Sequence, residues 1–158
     1  MDYEEYNGEY NEEYIYDEEE GALMAEVDVL NRVEFENGDT LEKIAMDAGV
    51  IPEVRKKGER FSNIKWRFYV YVNATIRRLI NDRIITNVHT KEIPFILRQI
   101  ALIENPEYKN PEAFVCGYAV SKNKVVDKKI LDFIVSASGG TVKSTDIIRY
   151  ARLWIQLY

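Results

Sequence analysis

Basic and aromatic side chains alternate between Arg55 and Arg83, and they are the residues best suited to chemistry with a charged ligand. Cations along one face contact phosphates, and flat rings such as those of Trp66, Tyr69 and Tyr71 stack on bases. This stretch predicts a nucleic-acid-binding surface. The cations assigned to it are Arg55, Lys56, Lys57, Arg60, Lys65, Arg67, Arg77 and Arg78. A solvated helix face opposite an apolar core row explains the same pattern, and both interpretations stay open.

The charge of the 158-residue chain is divided between two regions. Residues 1–54 contain 18 acidic and 2 basic side chains, a net charge of −16, whereas residues 55–158 contain 9 acidic and 19 basic side chains, a net charge of +10. Such asymmetry is typical of an acidic tail beside a basic binding face.

The first 20 residues are the extreme case, with ten Asp or Glu, five Tyr and no Lys or Arg. Self-repulsion and the lack of aliphatic residues predict a disordered acidic tail. The tail either keeps the protein soluble, competes for the protein's own basic face, or docks on a basic partner.

Other kinds of site find little support in the composition. One Cys and one His exclude a disulfide framework and a Cys/His zinc site within one chain. Cys116 lies in an apolar run and is expected to be a buried small hydrophobe. His89 is expected to be a surface or capping residue. We therefore predict no catalytic residues, no metal site and no cofactor.

The elements that position these residues are predicted to be helices. Helices are expected at 22–32, from Thr40 to a stop at Gly49, from Ile51-Pro52, from Thr90, from Asn110-Pro111, around 126–134 and after Ser144 or Thr145. The expected buried stripe of the helix from Thr90 is formed by Phe95, Ile96, Ile100 and Ile103. The helix around 126–134 is marked by Val126, Ile130, Phe133 and Ile134, and the apolar residues of the last helix include Ile147, Ala151 and Trp154.

Residues 62–83 fit two elements. Alternation over 66–72 is strand-like, but Ile64, Phe68, Val72, Ile76 and Ile80 keep an i, i+4 row behind a Ser62 cap. Because a strand rarely runs so far, one long helix is preferred, with a strand near 66–72 as the alternative. The predicted fold class is mostly α: a disordered acidic tail (1–20) followed by a single multi-helix globular domain (21–158).

Residues 40–50 resemble the first half of a helix-turn-helix, with Ala45, Gly49 and Val50 at suitable spacing. The second half fits less well, because Val54 comes one place early and Gly58 interrupts the recognition helix. A capped helix followed by a solvated basic turn is the stronger interpretation.

The segment from 94 to 150 is similar to short proteins of large nucleocytoplasmic DNA viruses. The residues that carry this resemblance are Pro94, Asn105-Pro106, Asn110-Pro111, Phe114, Gly117-Tyr118 and Arg149-Tyr150. The resemblance implies a viral setting, such as virion assembly, genome packaging or transcription, and assigns no functional residue. Independently, Gly117 within a helix is expected to mark a close contact.

These observations are consistent with two functions. The first is a non-enzymatic nucleic-acid-associated protein whose basic body binds DNA or RNA backbones and whose acidic tail modulates that binding. The alternative is a structural adaptor or minor virion subunit that binds proteins through its tail or surface aromatics. No apolar run reaches membrane-spanning length and the N-terminus is acidic, so neither a membrane segment nor a signal peptide is expected. The expected location is intracellular (host cytoplasm or nucleus) or in the virion.

Overall fold

The computed structural model describes residues 34–35, 38–51, 64–103 and 110–157. Within these ranges the chain forms six α-helices and no strand, which confirms the mostly α fold class. The helices are α1 (Leu41–Asp47), α2 (Ile64–Asn81), α3 (Ile93–Arg98), α4 (Pro111–Ser121), α5 (Lys128–Ala137) and α6 (Ser144–Leu157). The tail, the predicted helix 22–32, the helical turn predicted after Ile51 and the Ser62 cap lie outside the described residues.

Helix α1 begins and ends where its sequence predicts. The Thr40 side chain accepts a hydrogen bond from the Lys43 N–H, which satisfies one of the free donors at the helix start. Gly49 follows the C-cap residue Ala48 with a φ of +76°, a left-handed conformation that favours glycine. Leu41, Ile44 and Ala45 are buried, and α1 packs against α3.

Helix α2 runs through the segment that also resembled a strand. Phe68, Val72 and Ile76 of the predicted core row are completely buried. The row is wrong at its start, because Ile64 is 61 % exposed, and Ile80 at its end is only partly buried. Packing of α2 against both α3 and α4 explains why nine of its residues are buried, more than a single i, i+4 row supplies.

The helix predicted from Thr90 is divided into three pieces. A 3₁₀ turn covers Thr90–Glu92, α3 follows, and a second 3₁₀ turn covers Gln99–Leu102. The buried side of this segment contains Ile96, Ile100 and Ile103, as predicted. The prediction for Phe95 is wrong, since 40 % of the residue is exposed. Phe95 lies off the inward side of α3, where Ile93, Ile96 and Leu97 are completely buried.

Helix α4 lies at the centre of the domain. Asn110 caps it by accepting from the Ala113 N–H, and Pro111 occupies the first turn, as predicted. Every residue from Ala113 to Ser121 is buried, because α2, α5 and α6 all pack against this helix. A helix that is apolar on all sides is typical of such an interior position.

Gly117 brings α4 and α6 into close contact, which confirms the expectation for this glycine. A Cβ atom at this position would lie 2.8 Å from the Ala151 backbone nitrogen and 2.8 Å from Tyr150 Cβ. Any side chain here would push the two helices apart.

Helices α5 and α6 complete the described domain. Asp127 caps α5 by accepting from the N–H groups of Lys129 and Ile130. Ile134 is buried, whereas Phe133 is 47 % exposed. Residues 138–143 connect the two helices, and α6 begins at Ser144 itself. Within α6, Ile147, Ala151 and Trp154 are completely buried.

Aromatic rings join these helices in the core. Trp154 lies 4.9 Å from the ring of Phe114 and 4.9 Å from that of Tyr118, between ring centroids. Its indole N–H donates to the Phe114 carbonyl at 2.8 Å, so the polar atom of this buried ring has a partner. The rings of Phe68 and Phe114 meet edge to face at 5.4 Å, which ties α2 to α4.

Candidate nucleic-acid interface

The eight predicted binding cations fall into two sets. Arg55, Lys56, Lys57 and Arg60 lie outside the described residues, and their role stays a prediction. The other four, Lys65, Arg67, Arg77 and Arg78, all belong to α2.

The first two cations of α2 are half-buried at its start. The Lys65 ammonium donates to the carbonyl oxygen of Ala101 at 3.1 Å, which holds the side chain against the second 3₁₀ turn. Arg67 is half-buried as well. Both retain only part of their surface for an external ligand.

The two arginines near the end of α2 have different surroundings. Arg78 is exposed, but its guanidinium forms an ion pair with Glu112 at 2.6 Å. Arg77 is half-buried, with its guanidinium carbon 5.4 Å from the centre of the Phe35 ring. Burial lowers the pKa of Arg77 from its ordinary value. Helix α2 is therefore an internal helix whose cations contact the domain itself, rather than a continuous exposed basic face.

The polar groups of Tyr69, Asn73 and Arg77 form a row one helical turn apart on the inner side of α2. The Tyr69 hydroxyl, both amide atoms of Asn73 and the Arg77 Nε are buried and have no hydrogen-bond partner within the part of the chain that the structure describes. Burial raises the pKa of the Tyr69 hydroxyl well above its ordinary value. An unpaired buried polar group costs about 1–3 kcal/mol, so an apolar replacement of similar shape in this row is expected to stabilise the protein.

Several cations outside α2 are more accessible than those of that helix. Six of them have no carboxylate partner among residues 34–35, 38–51, 64–103 and 110–157: Arg83, Lys91, Lys124, Lys129, Lys143 and Arg152. Two of them belong to a second basic group in the sequence, which the predicted interface does not include: Lys122, Lys124, Lys128 and Lys129. Lys91, Lys143 and Arg152 are not part of the predicted interface either. No motif marks these residues, since they lie in separate loops and helices.

The remaining members of that second basic group are engaged in ion pairs. Lys128 lies 3.4 Å from Asp132, four residues later on the exposed side of α5. Lys122 lies 3.0 Å from Glu92 and also donates to the Asn87 carbonyl at 2.5 Å. These contacts reduce their availability for a phosphate.

Glu92 is the centre of a polar network at the edge of α4. It accepts from the Tyr118 hydroxyl at 2.6 Å, from the His89 backbone N–H at 2.8 Å and from the Lys122 ammonium at 3.1 Å. Burial acts to raise the pKa of Glu92, but these hydrogen bonds outweigh it and hold the pKa below its ordinary value. His89 is exposed at the start of the first 3₁₀ turn, in agreement with its predicted surface or capping role.

Two of the six unpaired cations have a left-handed backbone conformation. Arg83 and Lys124 have φ angles of +60° and +64°, in the left-handed region that favours glycine. Arg83 ends α2 in a Schellman motif, in which the N–H of Ile84 donates to the Leu79 carbonyl at 2.9 Å. A non-glycine residue in this conformation costs about 1–2 kcal/mol, so each cation is held at an energetic cost.

The large aromatic side chains considered for base stacking are mostly inside the domain. Trp66 and Tyr69 are each no more than 3 % exposed, and Tyr71 is half-buried. Among the described Phe, Tyr and Trp residues, the exposed rings are Phe95 and Phe133. Stacking by Trp66 or Tyr69 would require the domain to open.

Phe133 borders an open groove between α5 and the loop after α2. The groove has a volume of about 160 Å³, and its lining contains Ile84, Ile130, Phe133 and Ile134 beside Thr86, Asn87 and Lys129. It combines an apolar floor with an exposed ammonium at its edge. This apolar, basic-edged groove is suited to an aromatic group that carries negative charge nearby.

Cys116 is buried in the core as predicted. Burial raises the pKa of its thiol to about 12, so the reactive thiolate is strongly disfavoured. Among the residues that the structure describes, no group of three or more His, Cys, Asp or Glu side chains is placed to hold a metal ion. No helix within those residues is both long and apolar enough to span a membrane.

Comparison with curated proteins and with solved structures found no match to this chain. A protein family whose function is unknown, DUF5770, matches residues 52–157. The match begins before the basic run and extends through α6, so it includes α2 to α6 and all eight predicted binding cations. Because it covers about two thirds of the chain, this protein belongs to the DUF5770 family.

Proposed function

We propose that this chain is a non-enzymatic helical protein that binds the phosphate backbone of nucleic acids, and that its acidic N-terminal segment weakens that binding. The observation that carries the proposal is the set of six exposed cations without a carboxylate partner on the described surface. Cations that are not neutralised internally are available to displace counterions from phosphates, which is the main source of backbone affinity.

Burial of Trp66, Tyr69 and Trp154 supports contact with the backbone rather than with the bases. Base stacking needs exposed flat rings. We therefore propose binding with little sequence preference, in which phosphate contacts provide most of the affinity.

The backbone conformation of Arg83 and Lys124 makes a selective test possible. Glycine adopts a φ near +60° without the steric cost that these residues bear. Changing both residues to glycine is expected to remove two cations while leaving the folded structure at least as stable. Loss of binding in this variant then reports on the charges and not on misfolding.

The experiment measures binding of the full chain to fluorescent single- and double-stranded DNA over a series of salt concentrations. The slope of log K against log salt for the wild-type protein is expected to be steep. In the variant that combines Arg83→Gly and Lys124→Gly, the magnitude of this slope should decrease by about 1–2. Each lost phosphate contact removes about 0.7–0.9 from the slope. Lys43→Gln is a matched control, since Lys43 is paired with Asp39.

Two outcomes would contradict the proposal. One is an affinity of the wild-type protein that does not change with salt. The other is a salt slope that stays at the wild-type value in two variants. These are the double glycine variant and a chain in which Arg55, Lys56, Lys57 and Arg60 are all glutamine. The second comparison covers the predicted cations that lie outside the described residues.

A structural adaptor is the second candidate function, and the groove beside Phe133 favours it. An exposed aromatic ring beside an apolar groove is a common anchor point for a protein partner. This function predicts that a protein partner co-purifies with the chain and that Phe133→Ser abolishes the association. Unchanged co-purification of that variant would contradict it.

We also propose a viral setting, which rests on the similarity of residues 94–150 to short proteins of large nucleocytoplasmic DNA viruses. In that setting the protein would act in genome packaging, virion assembly or transcription, inside the infected cell or in the virion. Detection of the protein in purified virions, or on viral DNA by crosslinking in infected cells, would support this. Its absence from both would contradict it.

A further inference from the structure

We propose that the groove beside Phe133 binds residues 1–20 of the same chain, with a tyrosine ring on its apolar floor and acidic side chains against the neighbouring cations. This inference deepens the proposed function and rests on it for its regulatory meaning, because the docked segment would occupy cations that otherwise contact nucleic acid.

The size and lining of the groove fit an aromatic ring. Its volume is about 160 Å³, and an apolar cavity of about 150 Å³ is known to hold a benzene molecule. Ile84 from the loop and Ile130 from α5 supply apolar contacts on two sides, and Phe133 offers an exposed ring for edge or offset stacking. A single phenol side chain is therefore of the right size.

The charge around the groove complements the N-terminal segment. Lys129 lines the groove and is exposed, and it has no carboxylate partner in the described part of the chain. Arg83 directly precedes Ile84 of the lining and is likewise unpaired there. Residues 1–20 contain ten carboxylates, five tyrosines and no cation, so each tyrosine has acidic residues close by in the sequence.

The chain is long enough for this contact to form within one molecule. Thirteen residues lie between Glu20 and Glu34, the first described residue, and this connection extends to about 48 Å. A domain of this size has a radius of gyration of about 14 Å. If residues 22–32 form the predicted helix, that part spans only about 16 Å. The length of residues 1–20 then adds to the distance that the chain can cover across the surface.

A photo-crosslinking experiment on the full chain tests the contact directly. Phe133 is replaced by benzoylphenylalanine, the protein is irradiated, and adducts are located by mass spectrometry. Adducts to residues 1–20 within single molecules are expected at low salt, and they should decrease strongly near 1 M salt because screening then acts within about 3 Å. Benzoylphenylalanine at Phe95, which is exposed but does not line the groove, is the matched control.

A charge reversal in the same protein gives a second test. Lys129→Glu, combined with the crosslinker at Phe133, is expected to reduce the adducts to residues 1–20 by about threefold or more, because it replaces an attraction by a repulsion at an exposed site. The proposal is overturned if Phe133 gives no adducts to residues 1–20, or gives no more than Phe95 does. It is also overturned if the adducts are to a second copy of the chain.

Binding of DNA distinguishes this inference from the proposed function. If both hold, Phe133→Ser releases the segment and increases the DNA affinity of the full chain, while the intramolecular adducts formed by a crosslinker at Ile130 disappear. If the adducts form but the chain binds no DNA at any salt concentration, the docking is correct and the proposed function is wrong. If DNA binds with the expected salt dependence but no adducts form, the docking is wrong and the proposed function stands.

Discussion

Replacement of Gly117 by alanine tests the close contact between α4 and α6. The new Cβ would lie 2.8 Å from two atoms of α6, the Ala151 nitrogen and Tyr150 Cβ, and 2.9 Å from the Tyr150 carbonyl carbon. These atoms belong to the backbone or to its first side-chain carbon, so they cannot move without the helix. The two helices must separate, and such overpacking costs about 1–3 kcal/mol.

An opposing effect makes the sign of the result informative. Alanine is favoured over glycine inside a helix by about 1 kcal/mol. Because the contact is with rigid atoms, we expect the upper part of the overpacking range and a net loss of about 1–2 kcal/mol in the free energy of unfolding. For a domain of this size the melting temperature should fall by about 4–8 °C. Gly117→Val, with two more carbons, should be worse than alanine.

The measurement is urea denaturation of the full chain followed by circular dichroism. A comparison of Arg152→Ala with Arg152→Gly supplies the helix-propensity effect alone, since Arg152 is exposed in the middle of α6. If Gly117→Ala is more stable than the wild-type protein by about the amount that this control pair differs, the helices do not approach as closely as described. The reasoning from Gly117 would then be refuted.

Three further changes test other parts of the domain. Trp154→Phe removes the hydrogen bond to the Phe114 carbonyl and part of the ring, and should reduce the free energy of unfolding by about 1–3 kcal/mol in urea denaturation; an unchanged midpoint would contradict this. Glu92→Gln should destabilise the protein by about 1–2 kcal/mol at neutral pH by weakening the pair with Lys122. Because the folded pKa of Glu92 is lowered from 4.5, its stabilising effect is present above that pH and is lost as the pH falls through the folded pKa, so the two proteins should converge in acid; a constant difference would refute the assignment. Asn73→Leu keeps the branching of the side chain while removing two unpaired buried polar atoms, and should stabilise the protein by about 1 kcal/mol; a loss of stability would show that a bound water or another partner satisfies the amide.

Local sequence signals predicted the helices because each signal acts within a few residues. Thr40 and Asn110 cap α1 and α4 because a side-chain oxygen needs only the N–H groups of the next turn. Gly49 ends α1 because its φ of +76° is costly for other residues. The length of the apolar row correctly favoured a helix over a strand for α2. These effects need no knowledge of the rest of the fold.

The division of the helix surfaces into buried and exposed was predicted less well. Helical spacing predicts that Phe95 belongs to the buried stripe of its helix, yet 40 % of the residue is exposed. Tyr69 was grouped with a surface that stacks on bases, yet it is completely buried. Periodicity identifies an apolar side only when a helix has one neighbour, whereas α2 and α4 have several.

The sequence by itself determined the helical class, the caps at Thr40 and Asn110 and the separation of acidic from basic residues, since these depend on local conformational preference and on composition. Only the tertiary structure decided which cations are available to a ligand. Lys65 and Arg78 are basic in any fold, but they contact the Ala101 carbonyl and Glu112, residues more than 30 positions away in the chain. Arg83 and Lys129 have no such partner in the described residues, and the groove beside them forms where a loop after α2 meets α5. Availability of a charge depends on which distant groups the packing of helices brings within a few ångströms, and that distance is not encoded in local spacing.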